Sequence, residues 1–164
     1  MDIRSVDVVK DKQTLLDFHC IINYESGSPV VRKTYTFEQF REIWMNSHQK
    51  EEFLSTFASS MEDKRTIATF WEYNSSVVAY IWVTFKDWVE FNVTEAEIRD
   101  IFVVPDLRRK GIATQVIKYV EELALEKGVT YFRSGTGSEN VASQKLHAKL
   151  GFNISHIDYE KELG

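Results

Sequence analysis

The residues whose types could do chemistry cluster where an apolar, strand-like run meets a helix-like run. Two carboxylates, Glu97 and Asp100, lie in the strand-like part, and three consecutive cations, Arg108–Lys110, follow it. Gly111 comes directly after the cations and would let the backbone approach a ligand closely. Because the first turn of a helix has unpaired N–H groups and partial positive charge, this junction suits a phosphate-rich ligand.

The residues around this junction leave two interpretations open. The pattern Arg-x-x-Gly-x-Ala, from Arg108 to Ala113, fits an anion site, but a basic turn before an ordinary helix would also produce it. The chain has neither a Gly-x-x-x-x-Gly-Lys-Ser/Thr loop nor a Gly-x-Gly-x-x-Gly turn, the patterns of two other phosphate sites. The run Val129–Phe132 predicts a second strand after the helix. Strand–helix–strand units are normally parallel and bind ligands beyond the carboxyl ends of their strands.

Composition narrows the class of protein. A chain of 164 residues that is 43% hydrophobic and 13% aromatic predicts a single folded domain, residues 1–164. Its 25 acidic and 20 basic side chains give a net charge of −5, which argues against a nucleic-acid binder. The single cysteine, Cys20, cannot form an internal disulfide, and no His or carboxylate cluster has metal-ligand spacing, so no metal is expected.

The pattern of apolar residues also indicates where the protein acts. The longest apolar run, Val77–Val83, is far shorter than the ~20 residues that span a bilayer, so no membrane partner is expected. The segment Met1–Ser5 has no apolar signal core, which predicts a cytoplasmic protein. Cys20 lies among apolar residues and is expected to be a buried, inert thiol.

A second motif lies further along the chain. The segment Glu139–Phe152 begins with Glu-Asn and ends in Lys-Leu-Gly-Phe. Together with Val103–Ala113 it resembles the acetyl-CoA motifs of the GNAT N-acetyltransferase superfamily, in the family's order and separated by one helix and one strand. The resemblance covers about residues 95–155, whereas the first half of the chain matches only in the order of its elements.

The resemblance implies a mixed α/β (α+β) fold. Its mainly antiparallel sheet of six to seven strands is splayed at the central parallel pair and flanked by about four helices. The strand ending at Val103 would offer its free backbone to the pantetheine arm of acetyl-CoA, and the helix start would hold the pyrophosphate. The implied cofactor-binding residues are Phe102, Val103, Val104, Arg108, Arg109, Lys110, Gly111, Ile112, Ala113, Thr114, Asn140, Ser143 and His147.

Transfer to an amine also requires a base, because an ammonium group is not nucleophilic. Glu97 occupies a position where some members of the family carry a catalytic glutamate, but Arg99 could hold it in an ion pair that disfavours proton uptake. Asp100 falls on the apolar parity between Ile98 and Phe102. There it could act as a base, anchor the amine, or be a satisfied core acid.

Three further roles come from the resemblance. The N–H of Val103 is expected to donate to the oxyanion. His147 occupies the position where the family most often has a tyrosine that donates to the leaving sulfur, and an imidazolium could protonate the thiolate or merely cap local polar groups. Asn140 resembles the asparagine that contacts the cofactor, with N-capping as the alternative. His19 and His48 are interpreted as non-catalytic.

These residues need a scaffold, which the remaining patterns predict. A strand at Ile3–Val8 precedes a helix that begins near Asp11 and ends near Ser26–Pro29, and Thr36 starts a second helical run with a capping box and a break at Asn46–His48. The further predicted elements are a hairpin of Thr66–Tyr73 and Val77–Phe85, a strand at Glu95–Val104, helices at Gly111–Lys127 and Ser138–Leu150, and a last strand at Asn153–Leu163.

The sequence thus predicts an acetyl-CoA-dependent N-acetyltransferase that acts on a primary amine of a small-molecule or peptide acceptor by direct attack. A catalytically silent CoA-binding or regulatory domain on the same fold is the alternative, since His147 and the two carboxylates leave the catalytic roles open. The acceptor pocket is expected to involve Tyr24–Tyr35. Because the tail after Phe152 is short for the family's two final strands, the partner subunit of a homodimer could complete the sheet edge.

Overall fold

The architecture is a five-stranded sheet with helices on both faces. The computed structural model describes the whole chain, Met1–Gly164. The strands lie in the order β1-β2-β3-β4-β5, and every neighbouring pair is antiparallel except β4 and β5, which are parallel. The elements are β1 (Asp2–Ser5), α1 (Lys12–Ser26), α2 (Pro29–Thr34), α3 (Phe37–Met45), α4 (His48–Ser60), β2 (Ile67–Tyr73), β3 (Ser76–Trp88), β4 (Val93–Val103), α5 (Ile112–Glu126), β5 (Tyr131–Ser134) and α6 (Val141–Lys149).

Local sequence signals account for most of these elements. Thr36 accepts a hydrogen bond from the Gln39 backbone while the Gln39 side chain accepts one from Thr36, so the predicted capping box starts α3. Asn74 and Ser75 both have positive φ angles, 49° and 62°, which suits the tight turn of the predicted hairpin. Gly128 follows α5 with a φ of 76° and ends that helix as expected.

Each face of the sheet carries its own apolar core. On one face, α5 packs its buried side chains, among them Val116, Ile117 and Val120, against β2, β3 and β4. On the other face, α1, α3 and α4 cover aromatic residues such as Phe70 and Trp82. Both faces of β3 are therefore buried, which explains its long apolar sequence.

A β-bulge in β4 decides which of its side chains face which core. Trp82 pairs with Asp100 and Val83 pairs with Ile98, so Arg99 is an extra residue without a partner on β3. As a result Ile98 packs on the α5 face, whereas Phe102 packs on the α1 face. The sequence-based expectation that Ile98, Asp100 and Phe102 share one parity is wrong, because the bulge reverses the alternation between Ile98 and Asp100.

The mixed, mainly antiparallel fold is confirmed, but two counts differ from the expectation. The sheet has five strands rather than six to seven, and six α-helices rather than about four flank it. Helix α2 forms in a predicted loop because Pro29 fixes the first helical position and the Ser28 hydroxyl accepts from the Val30 N–H. The helical run that the break at Asn46 interrupts forms two separate helices.

The segment Asn153–Leu163 is not the strand that its composition predicts. A strand is stable only when a neighbour accepts its backbone hydrogen bonds, and no strand pairs with this segment. Its apolar side chains Ile154, Ile157, Tyr159 and Leu163 are each at least 60% exposed. None of the helices is both long and apolar enough to cross a bilayer.

The core on the α1 face provides a stability test. Phe57 of α4 is fully buried and contacts Trp82 with a ring-centroid separation of 5.0 Å. Phe57→Ala should lower the free energy of unfolding by about 3–5 kcal/mol, since it removes buried apolar area and leaves a cavity. Urea denaturation followed by fluorescence measures this change.

Phe91 offers a matched control for the same substitution. It is 74% exposed in the turn between β3 and β4. Phe91→Ala should change the free energy of unfolding by no more than about 0.5 kcal/mol. Equal losses at the two positions would contradict the assignment of Phe57 to the core.

Candidate functional site

The candidate site is a cleft that opens where β4 and β5 diverge. The two strands pair from Glu95 with Tyr131 to Ile98 with Ser134, and no pairing continues beyond that point. A cavity of about 960 Å³ lies there, lined by residues of α1, β4, α5, β5, α6 and the loop between β4 and α5. Parallel strands normally bind ligands beyond their carboxyl ends, and the cleft lies at that end of this pair.

Nearly all of the residues singled out in the sequence line this cleft. The three that do not are Val104, Lys110 and His147. The Val104 N–H donates to Val78 O of β3 at 3.0 Å, so the backbone of this residue still belongs to the sheet. Glu25, from the segment predicted for the acceptor pocket, also lines the cleft. So do His19, which the sequence indicated as non-catalytic, and Ser134, which it did not indicate.

Free backbone donors concentrate at the start of α5. Arg109 and Gly111 both have positive φ angles, 63° and 82°, and Gly111 is the N-cap of the helix. None of the N–H groups from Arg109 to Thr114 donates to an acceptor within the protein. Unpaired N–H groups at a helix start, reinforced by the helix dipole, form a ready site for an anion.

The side chain of Arg108 is held by the protein itself. Its Nε donates to Val103 O at 2.9 Å, and its two terminal nitrogens donate to the Glu25 carboxylate of α1 at 3.0 and 3.2 Å. This bidentate pair ties the loop to α1 and neutralises the charge of Arg108. The positive charge that remains at the cleft comes from the backbone N–H groups and from Arg109, Lys145 and Lys149, which line the cleft and are in no ion pair.

The backbone of Val103 is turned toward the cleft. Hydrogen bonding between antiparallel strands alternates along each strand, and Val104 donates to Val78 of β3. The N–H of the preceding residue, Val103, therefore points away from β3, to the side that β5 has left. A free N–H at this position can donate to a ligand oxygen.

Asn140 and Ser143 lie together at the start of α6. Asn140 caps α6, because its side-chain oxygen accepts from the Ser143 N–H at 3.2 Å. Both residues also line the cleft. Capping fixes the amide of Asn140 at the mouth of the cleft and leaves its NH₂ group as a donor.

His147 lies behind the cleft wall and reaches it through Ser134. Its Nδ1 is 2.7 Å from Ser143 O, and since a carbonyl only accepts, Nδ1 carries a proton. Its Nε2 is 2.7 Å from the Oγ of Ser134, which lines the cleft. The ring packs edge-on against Phe152, with a centroid separation of 5.1 Å. The imidazole and the hydroxyl thus form a chain that ends at the cleft.

Glu97 and Asp100, two of the three acids of β4, differ in their surroundings. Glu97 is partly exposed and accepts from Arg99 Nη1 at 3.0 Å, so the ion pair considered from the sequence is present. Asp100 is buried on the α1 face, and its Oδ2 lies 2.8 Å from Nδ1 of His19. Burial, together with the nearby Asp100 carboxylate, raises the pKa of Tyr80 well above its ordinary value, so the phenol stays protonated.

The interaction between His19 and Asp100 could not be read from the sequence. The two residues are 81 positions apart, on α1 and β4, and no local spacing links them. His19 also lines a second cavity, of about 280 Å³, between α1 and α4. His19, Asn23 and Arg99 line both cavities and so form the boundary between them.

The other residues considered from the sequence have structural surroundings. Cys20 is fully buried, as expected, and burial raises the pKa of its thiol to about 11, so it is not a thiolate at neutral pH. His48 is exposed on α4, 3.9 Å from Glu52. No group of three or more His, Cys, Asp and Glu side chains is arranged to hold a metal ion.

Two relatives share part of this sequence. An aminoglycoside N(6')-acetyltransferase type 1 from Salmonella typhimurium is 42% identical over 55 residues, which are 34% of this chain and 38% of that protein. A thialysine N-epsilon-acetyltransferase from Mus musculus is 37% identical over 79 residues, which are 47% of this chain and 45% of that protein. Each match therefore spans less than half of the relative's length.

The fold and the family model give the wider match. A predicted acetyltransferase with acetyl-CoA from Clostridium acetobutylicum superposes with a TM-score of 0.70 over 99% of this chain and 96% of its own, at 16% identity, and so shares the fold. Residues 33–152 match the family described as Acetyltransferase (GNAT) family. The matched range includes the loop after β4, α5, β5 and α6, which form part of the cleft wall. The chain therefore belongs to the GNAT acetyltransferase family.

Proposed function

We propose that this protein transfers the acetyl group of acetyl-CoA to a primary amine of a small-molecule acceptor. The observation that carries the proposal is the run of unpaired N–H groups from Arg109 to Thr114, beside the point where β4 and β5 diverge. A pyrophosphate needs several donors at one point, and a helix start provides them without a cation for each charge. The net charge of −5 is compatible with such a local site.

The residues of the cleft would bind two parts of the cofactor, its pyrophosphate and its pantetheine arm. The turn at Gly111 and the first turn of α5 would hold the pyrophosphate, with Arg109 beside them. The free edge of β4, from the bulge at Arg99 to Val103, would pair with the amides of the pantetheine arm. The amide of Asn140 would donate to the same arm from α6.

The same arrangement supports catalysis. When bound, acetyl-CoA supplies an activated thioester whose carbonyl carbon the amine attacks. The N–H of Val103 would donate to the oxyanion that forms, in a position fixed by the sheet. Ser134 would donate its hydroxyl proton to the departing sulfur, and the proton would be restored along the contact between Ser134 and Nε2 of His147.

The relatives favour a small acceptor. One is named for aminoglycosides and the other for thialysine, and both names describe a small molecule with an amino group. The second cavity next to the cleft, of about 280 Å³, offers space for such a molecule or for an amine-bearing arm of a larger one.

A catalytically silent CoA-binding domain is the second candidate. The observation that favours it is the position of His147 behind Ser134, since the ring does not itself line the cleft. Both candidates require CoA binding, and only the enzyme requires turnover. They are separated by measuring both properties on the same preparation.

The test is a transfer assay with acetyl-CoA and a panel of amines that includes kanamycin, thialysine, lysine and spermidine. Release of free CoA thiol is followed with a thiol reagent, and mass spectrometry identifies the acetylated amine. Cys20 is fully buried and should not contribute to the signal. Calorimetric titration with CoA measures binding. CoA binding without transfer to any amine would favour the silent domain, and absence of CoA binding would overturn both.

Gly111→Asp should weaken CoA binding. The substitution places a carboxylate among the N–H groups at the start of α5, where it would compete with and repel the pyrophosphate. We expect the Kd for CoA, measured by calorimetry, to rise by at least about tenfold, which corresponds to about 1.4 kcal/mol.

Gly128→Asp is the matched control for this prediction. Gly128 also has a left-handed backbone conformation, with a φ of 76°, and no atom lies within 4 Å of a Cβ added there. It lies at the other end of α5, away from the cleft. Both variants place a non-glycine residue at a positive φ, so they share the same kind of backbone strain and differ chiefly in the position of the charge. Equal CoA affinity in the two variants would contradict the placement of the pyrophosphate.

His147→Phe and Ser134→Ala should lower turnover more than cofactor affinity. Each breaks the chain from imidazole to hydroxyl that would protonate the sulfur. We expect kcat to fall by about 100-fold in each, with a small change in the Kd for CoA. The control is His156→Phe, on the exposed tail. A wild-type kcat in His147→Phe would exclude the proton-donor role.

A further inference from the structure

We propose that His19, held by the carboxylate of Asp100, is the general base of the reaction, and that a compact primary amine reaches it through the cavity between α1 and α4. This inference rests on the proposed acetyl transfer. It assigns the proton-accepting step to a residue of the first helix, outside both sequence motifs.

The geometry leaves one nitrogen of His19 free to act. Nδ1 lies 2.8 Å from Oδ2 of Asp100, whereas Nε2 makes no hydrogen bond within the protein. The His19 side chain is 16% exposed and that of Asp100 is 2% exposed, so water reaches the histidine but hardly reaches the acid. The ring stacks on Phe53 with a centroid separation of 3.7 Å and an interplanar angle of 13°, which fixes its plane.

This arrangement has the properties of a base with a fixed tautomer. A carboxylate that accepts from Nδ1–H leaves the lone pair on Nε2, which can take a proton. Once Nε2 is protonated, the buried Asp100 carboxylate stabilises the imidazolium. Asp100 is thus a positioning residue, and the group that touches the acceptor is His19.

The alternative bases are less well placed. Glu97 is partly exposed and engaged by Arg99 at 3.0 Å, so proton uptake would break an ion pair. Asp100 itself is buried against His19 and the Tyr80 side chain, and its Oδ2 is already occupied by the imidazole. His147 carries a proton on Nδ1 and lies behind Ser134.

The cavity between α1 and α4 fits one end of an organic amine. Its inner wall is aromatic, formed by the buried rings of Trp44, Phe53 and Trp82. Its polar lining includes Asn23, Gln49 and Glu52, which offer amide and carboxylate oxygens to a cation. Arg99 also lines the cavity, and its charge is balanced by Glu97 at 3.0 Å. Aromatic faces and a carboxylate both favour an ammonium group over an anion. His19 and Asn23 continue from this cavity into the cleft, so an amine bound here lies beside the cofactor site.

The proton balance of the step is complete. Nε2 of His19 takes one proton from the ammonium group, and the neutral amine then forms a C–N bond to the thioester carbonyl carbon. As the C–S bond breaks, the electron pair leaves with the sulfur, which takes a proton from the Ser134 hydroxyl. The nitrogen loses its second proton, which restores the proton shared by Ser134 and His147. His19 releases its proton to water, so the products are an N-acetyl amine, CoA thiol and one proton.

Several charged groups face His19 and bear on its pH dependence. Asp100, Arg99 and Glu97 approach from β4, Glu52 lines the same cavity from α4, and the protonated phenol of Tyr80 belongs to β3. The test therefore compares variants of these groups across pH. At acidic pH, kcat/KM should fall as the base becomes protonated. This fall should disappear when His19 is replaced and persist when one of the other groups is replaced.

The experiment uses the full chain and the acceptor that the amine panel identifies. His19→Ala and His19→Gln should lower kcat by at least about 100-fold while the Kd for CoA stays near its wild-type value. Added imidazole should restore part of the activity of His19→Ala, which a merely structural role would not produce. Asp100→Asn should lower kcat, and the double variant should lose little more than His19→Gln alone, since the two residues act as a unit.

The controls separate failure of this inference from failure of the proposed function. His156→Ala, on the exposed tail, should keep the wild-type activity, and Glu97→Gln should lose less activity than His19→Gln. A thermal melt of each variant shows whether it folds, and His19→Gln keeps a polar side chain in case His19→Ala does not. Transfer by the wild-type protein with an unchanged rate in His19→Gln, or a larger loss in Glu97→Gln, would overturn this inference alone. Absence of transfer by the wild-type protein to every amine would overturn the proposed function with it.

Discussion

Backbone hydrogen bonding along β4 is the constraint on which the rest of the site depends. β4 pairs along most of its length with β3, but with β5 only as far as Ile98 and Ser134. Beyond that point its free edge has no partner strand, and a buried polar backbone requires one. The divergence therefore produces a cleft and a row of backbone groups at the same place. The loop that follows turns through Arg109 and Gly111 and adds the free N–H groups of α5 to the same cleft.

The bulge at Arg99 gives β4 its second role. One extra residue reverses the alternation, so Asp100 and Phe102 face α1 while Ile98 and Val103 face α5. Without it, Asp100 would point into the apolar core under α5, where no imidazole could meet it. With it, the acid lies beneath His19. The bulge thus connects the cofactor side of the sheet with the helices that form the second cavity.

Charge in this site acts locally, and ion pairs neutralise part of it. Arg108 pairs with Glu25, Arg99 with Glu97, and Arg32 with Glu139, whereas Arg109, Lys145 and Lys149 line the cleft without an ionic partner. Backbone N–H groups can bind an anion without first breaking an ion pair, because these donors are already oriented and have no ionic partner. This distinction explains how a chain with a net charge of −5 can present a site for a polyphosphate.

The sequence by itself determined the parts of the protein that depend on near neighbours. The capping box at Thr36, the turn at Asn74, α5 with its glycine start, and the family motifs all act over a few residues, and they were predicted correctly. Tertiary structure alone decided the rest. The pairing of His19 with Asp100, the capture of Arg108 by Glu25 and the unpaired state of Asn153–Leu163 depend on which distant segments meet. Local patterns cannot specify such contacts, because a one-residue bulge or a missing partner strand changes them without changing the composition of the segment.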